Sequence, residues 1–195
     1  MTQARYSTVS IILHWLIAAL LVWAVALAWQ AEDLEGLAKV VPLGLHKPLG
    51  ITILLLTLVR IGMRFVTPAP PMGEHLKPWE VKLAKSVYGL FYLLLLVLPL
   101  SGWAMVSASK LIAVYPIDMF GLFHWPAIGA LSQLPADQMK DAHETLETVH
   151  KLIAKVIIYG LIPLHVLGAL KHQFLDKDNE LARMIPFLAR KDTAA

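Results

Sequence analysis

Four of the eight histidines in this 195-residue chain, His14, His46, His150 and His165, lie inside or at the rim of long apolar runs. Ionisable side chains at membrane depth are costly and tend to mark function. Neutral imidazole is a good nitrogen donor to transition metals. Whether these rings can meet depends on the elements that carry them.

The chain is 57% apolar and 16% charged, with a mean hydropathy of +0.63, too apolar for a soluble domain. Four stretches, about Val9 to Trp29, His46 to Phe65, Ser86 to Val106 and His150 to Phe174, are long enough to cross a hydrocarbon core of about 30 Å as helices. The expectation is a single domain over residues 1–195, an all-α integral membrane four-helix bundle. The first stretch exceeds the roughly 7–15 apolar residues of a cleaved signal and is expected to stay in place. Cysteine is absent, which excludes disulfides, thiolate ligation, iron–sulfur clusters and covalent haem attachment. The net charge of +3 is spread over both ends of the spans, so nucleic acid is not an expected partner.

Four crossings put both termini on one side. That side would carry Arg5, Arg60, Arg64, Lys77, Lys82, Lys85, Lys171, Lys177, Arg183, Arg190 and Lys191, eleven basic residues. The other has six: Lys39, Lys47, Lys110, Lys140, Lys151 and Lys155. The excess predicts cytoplasmic termini. Trp15, Trp29, Trp79, Trp103 and Trp125 fall near span ends, where interface-anchoring rings belong. Of the two loops on the far side, about Gln30 to Leu45 is short and acidic, and about Ser107 to Val149 is long, as functional loops often are. Its tail, Ala136 to Val149, reads as a helix running into the fourth span.

The topology sorts the histidines by depth. His14 is near the start of the first span, which rises from the cytoplasm, and His46 is near the start of the second, which descends. His150 and His165 lie about 22 Å apart along a helix axis, one near each face. His14 therefore pairs with His165, and His46 with His150. Fifteen residues overshoot four helical turns by about 60°, and Pro163 offers a kink or bulge that could adjust the phase. His143 is about 33 Å from His165 on the same helix, longer than the core itself, and is the poorer candidate. A lone histidine at a span end is commonly an interfacial polar residue; two depth-matched pairs suit bis-imidazole ligation of haem iron. From the residues alone both readings stand.

Several further elements occur in order: His14-Trp15, His46-Lys47-Pro48-Leu49-Gly50, Arg60 and Arg64, Pro68 with Pro70-Pro71, Pro99-Leu100-Ser101-Gly102-Trp103, His143-Glu144-Thr145-Leu146, His150, His165 with Lys171-His172, and Arg183-Met184-Ile185-Pro186. In this order and spacing the chain resembles the bacterial cytochrome b561 family, related to the haem subunits of membrane-bound nickel–iron hydrogenases. The resemblance implies a bacterial inner-membrane protein with two haem b groups, His14, His46, His150 and His165 as axial ligands, and electron exchange between a periplasmic reductant and the quinone pool. At least one relative is thought to oxidise superoxide and reduce ubiquinone. Two departures stand out: Tyr88 occupies a third-span position where many members carry histidine, and the His150 to His165 spacing is one residue longer than usual.

The same residues leave two functions open. One is a free-standing oxidoreductase taking electrons from a small donor such as superoxide. The other is a membrane anchor and electron conduit for a partner dehydrogenase or periplasmic redox protein. Arg60 and Arg64 share a helix face, suited to haem propionates or to the positive-inside bias. Lys47 and Lys151 could draw an anion to the outer pair or simply snorkel. Gly50, Gly89, Gly102, Gly160 and Gly168 read mainly as small-residue helix packing. His172 reads as interfacial, His75 and His124 as loop residues, and Met63, Met72, Met105, Met119, Met139 and Met184 show no ligand-like spacing. No metalloprotease element, phosphate loop or dinucleotide fingerprint is present.

Overall fold

The computed structural model describes residues 5–71, 76–176 and 180–185. Met72, Glu74, His75, Lys177, Asp178, Pro186, Arg190, Lys191 and Asp192 lie outside the described residues. The chain forms α1 (Thr8–Glu32), α2 (Val40–Val66), α3 (Pro78–Ser107), β1 (Ile117–Asp118), β2 (His124–Trp125), α4 (Gly129–Ser132), α5 (Ala136–Lys155), α6 (Ile162–Leu170) and α7 (Glu180–Met184). Helices long and apolar enough to cross a membrane cover Thr8–Glu32, Gly36–Val66, Pro78–Ser107 and Ala136–Leu175. This is the expected four-helix bundle, with each helix running past the apolar stretch that predicts it.

The helix ends follow from local chemistry. Ser7 caps α1, its Oγ accepting from the Ser10 amide at 3.2 Å, which satisfies one of the open donors of a first turn. Pro78 starts α3, where its missing N–H costs nothing, and Glu80 accepts from the Lys77 amide at 2.9 Å. The tail Ala136 to Val149 is helical, with Pro135 at the N-cap of α5.

The fourth span is not one regular helix. Residues Val156–Leu161 form a π-helical segment between α5 and α6, with the Ile162 N–H bonded to Ile157 O. Pro163 follows directly and donates no N–H, so the regular hydrogen-bond ladder cannot continue through it. A π segment takes up an extra residue. The fifteen residues from His150 to His165 are thereby turned back toward a spacing of fourteen, the adjustment that Pro163 predicts.

Ile17, Leu21, Ala24 and Leu27 of α1 pack with Leu49 and Ile53 of α2, Leu95 of α3, and Ile157 and Leu161 of the π segment. Their spacing on α1, one residue every third or fourth, is that of a single buried stripe. On α1 Ile17 and Leu21 lie between His14 and Ala24, the level that His46 reaches, and on the fourth span Ile157 and Leu161 lie between His150 and His165. Most other large apolar side chains of the spans, such as Val22, Trp23 and Leu58, are exposed, as a surface solvated by lipid requires. A second cluster joins Ile51 to Ile117 and Met119 of the long loop after α3, which turns back as the β1–β2 hairpin against α2.

At the opposite end α7 folds onto the bundle. Trp15 Nε1 donates to Met184 O at 3.0 Å and Arg183 Nη1 to Pro71 O at 2.8 Å. Lys171 bridges Glu80 of α3 at 2.9 Å and Asp176 at 2.6 Å.

Candidate functional site: two imidazole pairs

Each of the four histidines meets the partner expected from its depth. The rings of His14 on α1 and His165 on α6 have centroids 6.1 Å apart with planes at 67°. Those of His46 on α2 and His150 on α5 are 6.2 Å apart at 82°. Two imidazoles bound to one metal from opposite sides, with metal–nitrogen bonds of about 2.0–2.1 Å and about 1.15 Å from each nitrogen to its ring centre, would have ring centres about 6.3–6.5 Å apart. At 6.1 and 6.2 Å both pairs fall just short of that separation. Among the described residues no third His, Cys, Asp or Glu joins either pair into a metal-holding group. A metal at either pair would need its remaining ligands from a group that carries its own donors, as a porphyrin does.

Hydrogen bonds aim the rings. The Nδ1 of His46 is 2.8 Å from Ala24 O, and that of His150 is 2.9 Å from Leu98 O. A carbonyl oxygen can only accept, so both Nδ1 atoms carry the proton and both Nε2 atoms keep a free lone pair. Backbone partners of this kind orient a metal-binding ring and fix its tautomer. Ser101 Oγ donates to Leu98 O at 2.7 Å and accepts from His150 Nδ1 at 3.1 Å. Gly102 completes this seat, since a Cβ at that position would stand 2.9 Å from His150 Cε1.

The other pair is held differently. Arg60 Nη1 lies 3.0 Å from His14 Nδ1, and a guanidinium only donates, so this Nδ1 accepts. Ligation through His14 Nε2 requires Arg60 to release that nitrogen and the proton to move across the ring. Arg60 also lies over the Tyr92 ring at 5.9 Å, and Arg64 donates from Nε to Tyr92 Oη at 3.2 Å while covering Tyr6 at 5.2 Å. Tyr6, Ser10, Arg60, Arg64, Tyr92 and Met184 line a small cleft beside this pair. Both arginines therefore have neutral partners here, a setting open to an anionic group. Phe91 and Tyr88 face His165 with ring centroids at 5.4 and 6.5 Å, which gives Tyr88 a place at the pair.

His143 stands apart, its Nδ1 donating to Met105 O at 2.9 Å. His172 contacts Asp176 at 2.7 Å, and His124 sits in β2. Lys151 is bridged to Glu147 at 2.7 Å, so its charge is offset, while among the described residues Lys47 reaches only the carbonyl of Tyr115 at 3.4 Å. Sequence reasoning did not single out Ser101 or the Arg60 contact with His14. The run Pro99 to Trp103 was the available signal for the first.

Residues 5–187 match the family described as prokaryotic cytochrome b561. The chain belongs to this family. It is 31% identical to the probable superoxide oxidase CybB of Yersinia pestis, over 93% of this chain and 96% of that one. It is 30% identical to cytochrome b561 homolog 2 of Escherichia coli K12, over 94% and 93%. A third relative, cytochrome b562 of Cereibacter sphaeroides, is 31% identical over 95% and 98%. Family membership and the four apolar spans make this a multi-pass inner-membrane b-type cytochrome with a role in electron transfer. The imidazole pairs suit the haem b that the family implies.

Proposed function

We propose that this member of the cytochrome b561 family holds two haem b groups, one between His14 and His165 and one between His46 and His150, and carries electrons from a periplasmic donor to the quinone pool. The observation that carries this reading is the matched ring separation of 6.1 and 6.2 Å at two depths of one bundle. Haem held by these imidazole pairs would supply single-electron exchange. The chain's own residues do the rest. Ala24 O and Leu98 O hold the proton on Nδ1 of His46 and His150 and so present Nε2. Arg60 and Arg64 supply positive charge for carboxylates beside His14. The apolar cluster from Ile17 to Leu161 keeps water out of the space between the pairs.

Superoxide is the donor this reading favours, with ubiquinone as acceptor. Two superoxide anions give up one electron each and leave as dioxygen; one quinone takes both electrons and two protons to become the quinol. The name of the Yersinia pestis relative supports this choice, and Lys47 beside His46 gives the periplasmic end an ammonium that has no carboxylate partner among the described residues. The basic bias of the opposite end supports cytoplasmic termini.

Quantifying haem per chain in the purified protein and in single His→Ala variants tests the assignment. Two haems are expected in the parent. His14→Ala and His165→Ala lose one, and His46→Ala and His150→Ala lose the other, distinguished by spectrum and potential. Loss of haem from His143→Ala with retention in His150→Ala overturns it.

A further inference from the structure

The tip of the β1–β2 hairpin combines three features that a water-facing turn does not need. Phe120, Leu122 and Phe123 are 51, 81 and 54% exposed, three large apolar side chains on one four-residue turn. From Met119 to Ala136 the sequence has no Asp, Glu, Lys or Arg. The four backbone donors from Met119 to Leu122 are also satisfied within the turn. The Met119 amide donates to Phe123 O at 2.8 Å, Phe120 to Asp118 O at 2.9 Å and Leu122 to Met119 O at 3.1 Å. The Gly121 amide donates to the Asp118 carboxylate at 3.1 Å. Backbone entering an apolar medium must satisfy its polar groups internally.

The opposite face of the hairpin fixes its level. Ile117 and Met119 are buried against Ile51, which lies about 16 Å along α2 from Val40. The hairpin therefore reaches down beside the bundle instead of standing above it. Trp103 and Trp125 stack edge to face at 5.7 Å beside it, and Trp103 Nε1 donates to Pro126 O at 2.8 Å. Tryptophans concentrate at the headgroup level of a bilayer. Phe120 and Gly121 both hold positive φ, 56° and 77°. For a bulky residue such as Phe120 this is a strained conformation.

We propose that the turn Phe120–Phe123 is an interfacial lipid anchor, its three apolar side chains inserted among acyl chains at the headgroup boundary of the leaflet nearest the His46/His150 pair. Insertion of this shallow kind needs apolar surface, which the turn has, and places the remaining backbone groups at the headgroup level where water reaches them. Its lipid contact seats the hairpin against α2 at the level of Lys47 and Ile51, one turn from His46.

The absence of cysteine allows a direct test on the full haem-loaded chain in phospholipid nanodiscs. Single nitroxide labels are placed on Leu122→Cys and Phe123→Cys, with Leu58→Cys on the exposed flank of α2 as the lipid reference and Lys110→Cys as the water reference. The readout is the ratio of collision with dissolved oxygen to collision with a water-soluble nickel chelate. Labels at 122 and 123 are expected to give ratios several-fold above that at 110 and close to that at 58. Ratios equal to that at 110 overturn the proposal in favour of a solvent-facing turn. Low collision with both reagents overturns it in favour of a protein contact, with a second copy or a docked redox partner.

Discussion

Gly102 and His150 approach so closely that a methyl group cannot be placed between them. A Cβ on residue 102 would stand 2.9 Å from His150 Cε1 and 3.2 Å from its Nδ1. The ring cannot retreat without stretching its bond to Leu98 O, 2.9 Å long. The glycine on α3 thus sets how far the imidazole on α5 leans away from His46.

Gly102→Ala is expected to lower haem content at the His46/His150 pair and to shift its low-spin spectrum, leaving the His14/His165 haem unchanged. Overpacking of this kind costs about 1–3 kcal/mol. Gly89→Ala is the control, since nothing lies within 4 Å of a Cβ there. Haem quantification with low-temperature spectra reads both variants. Equal loss in the two would mean that glycine at 102 matters for helix flexibility and not for the ring.

The spans and the pairing of the histidines were legible in the sequence because both rest on one periodicity and one length scale. An apolar run of about 20 residues is a crossing, and alternate crossings reverse depth, which brings His14 to His165 and His46 to His150. The glycines were less legible. Gly50, Gly89, Gly160 and Gly168 have nothing within 4 Å of a Cβ among the described residues, so the small-residue packing expected of them is not where the tight contact lies. Gly102 alone of the five meets a side chain, and it meets a ring from another helix, which no local pattern encodes. The bulge before Pro163 was readable as a need for adjustment. Its form, a π segment over Val156–Leu161, depends on where the hydrogen-bond ladder yields. The hairpin was hidden because two-residue strands leave almost no alternation to read.

Removing the charge of Arg60 is expected to act on one haem only. Its guanidinium sits beside the His14 ring and, even after it releases Nδ1 on ligation, a cation at this end of the bundle would favour the reduced, more electron-rich iron. At about 7 Å and an effective dielectric constant of 20, one charge is worth roughly 2 kcal/mol, or about 100 mV for a single electron. Arg60→Met should lower the midpoint potential of the His14/His165 haem by that order and move the other far less. Redox titration followed optically separates the two. A potential that rises, or a shift shared by both, would refute the placement of this charge beside the His14 haem.

The end of the last span supplies a pH-dependent contact outside the membrane. The Lys171 ammonium, 2.6 Å from Asp176, holds that carboxyl below the usual carboxylate range, with His172 contributing in the same direction. A carboxyl whose pKa is depressed in the folded chain stabilises it above the unfolded value, about 3.9. That contribution disappears as pH falls through the lower native value. Asp176→Asn should therefore speed amide exchange over residues 171–176 at pH 7. The difference from the parent should shrink steadily below pH 4, because there the parent carboxyl takes up the proton that the amide variant never needs. Exchange that is equally fast in both proteins at pH 7 would mean that Lys171 is held by Glu80 alone, across the 2.9 Å bridge to α3.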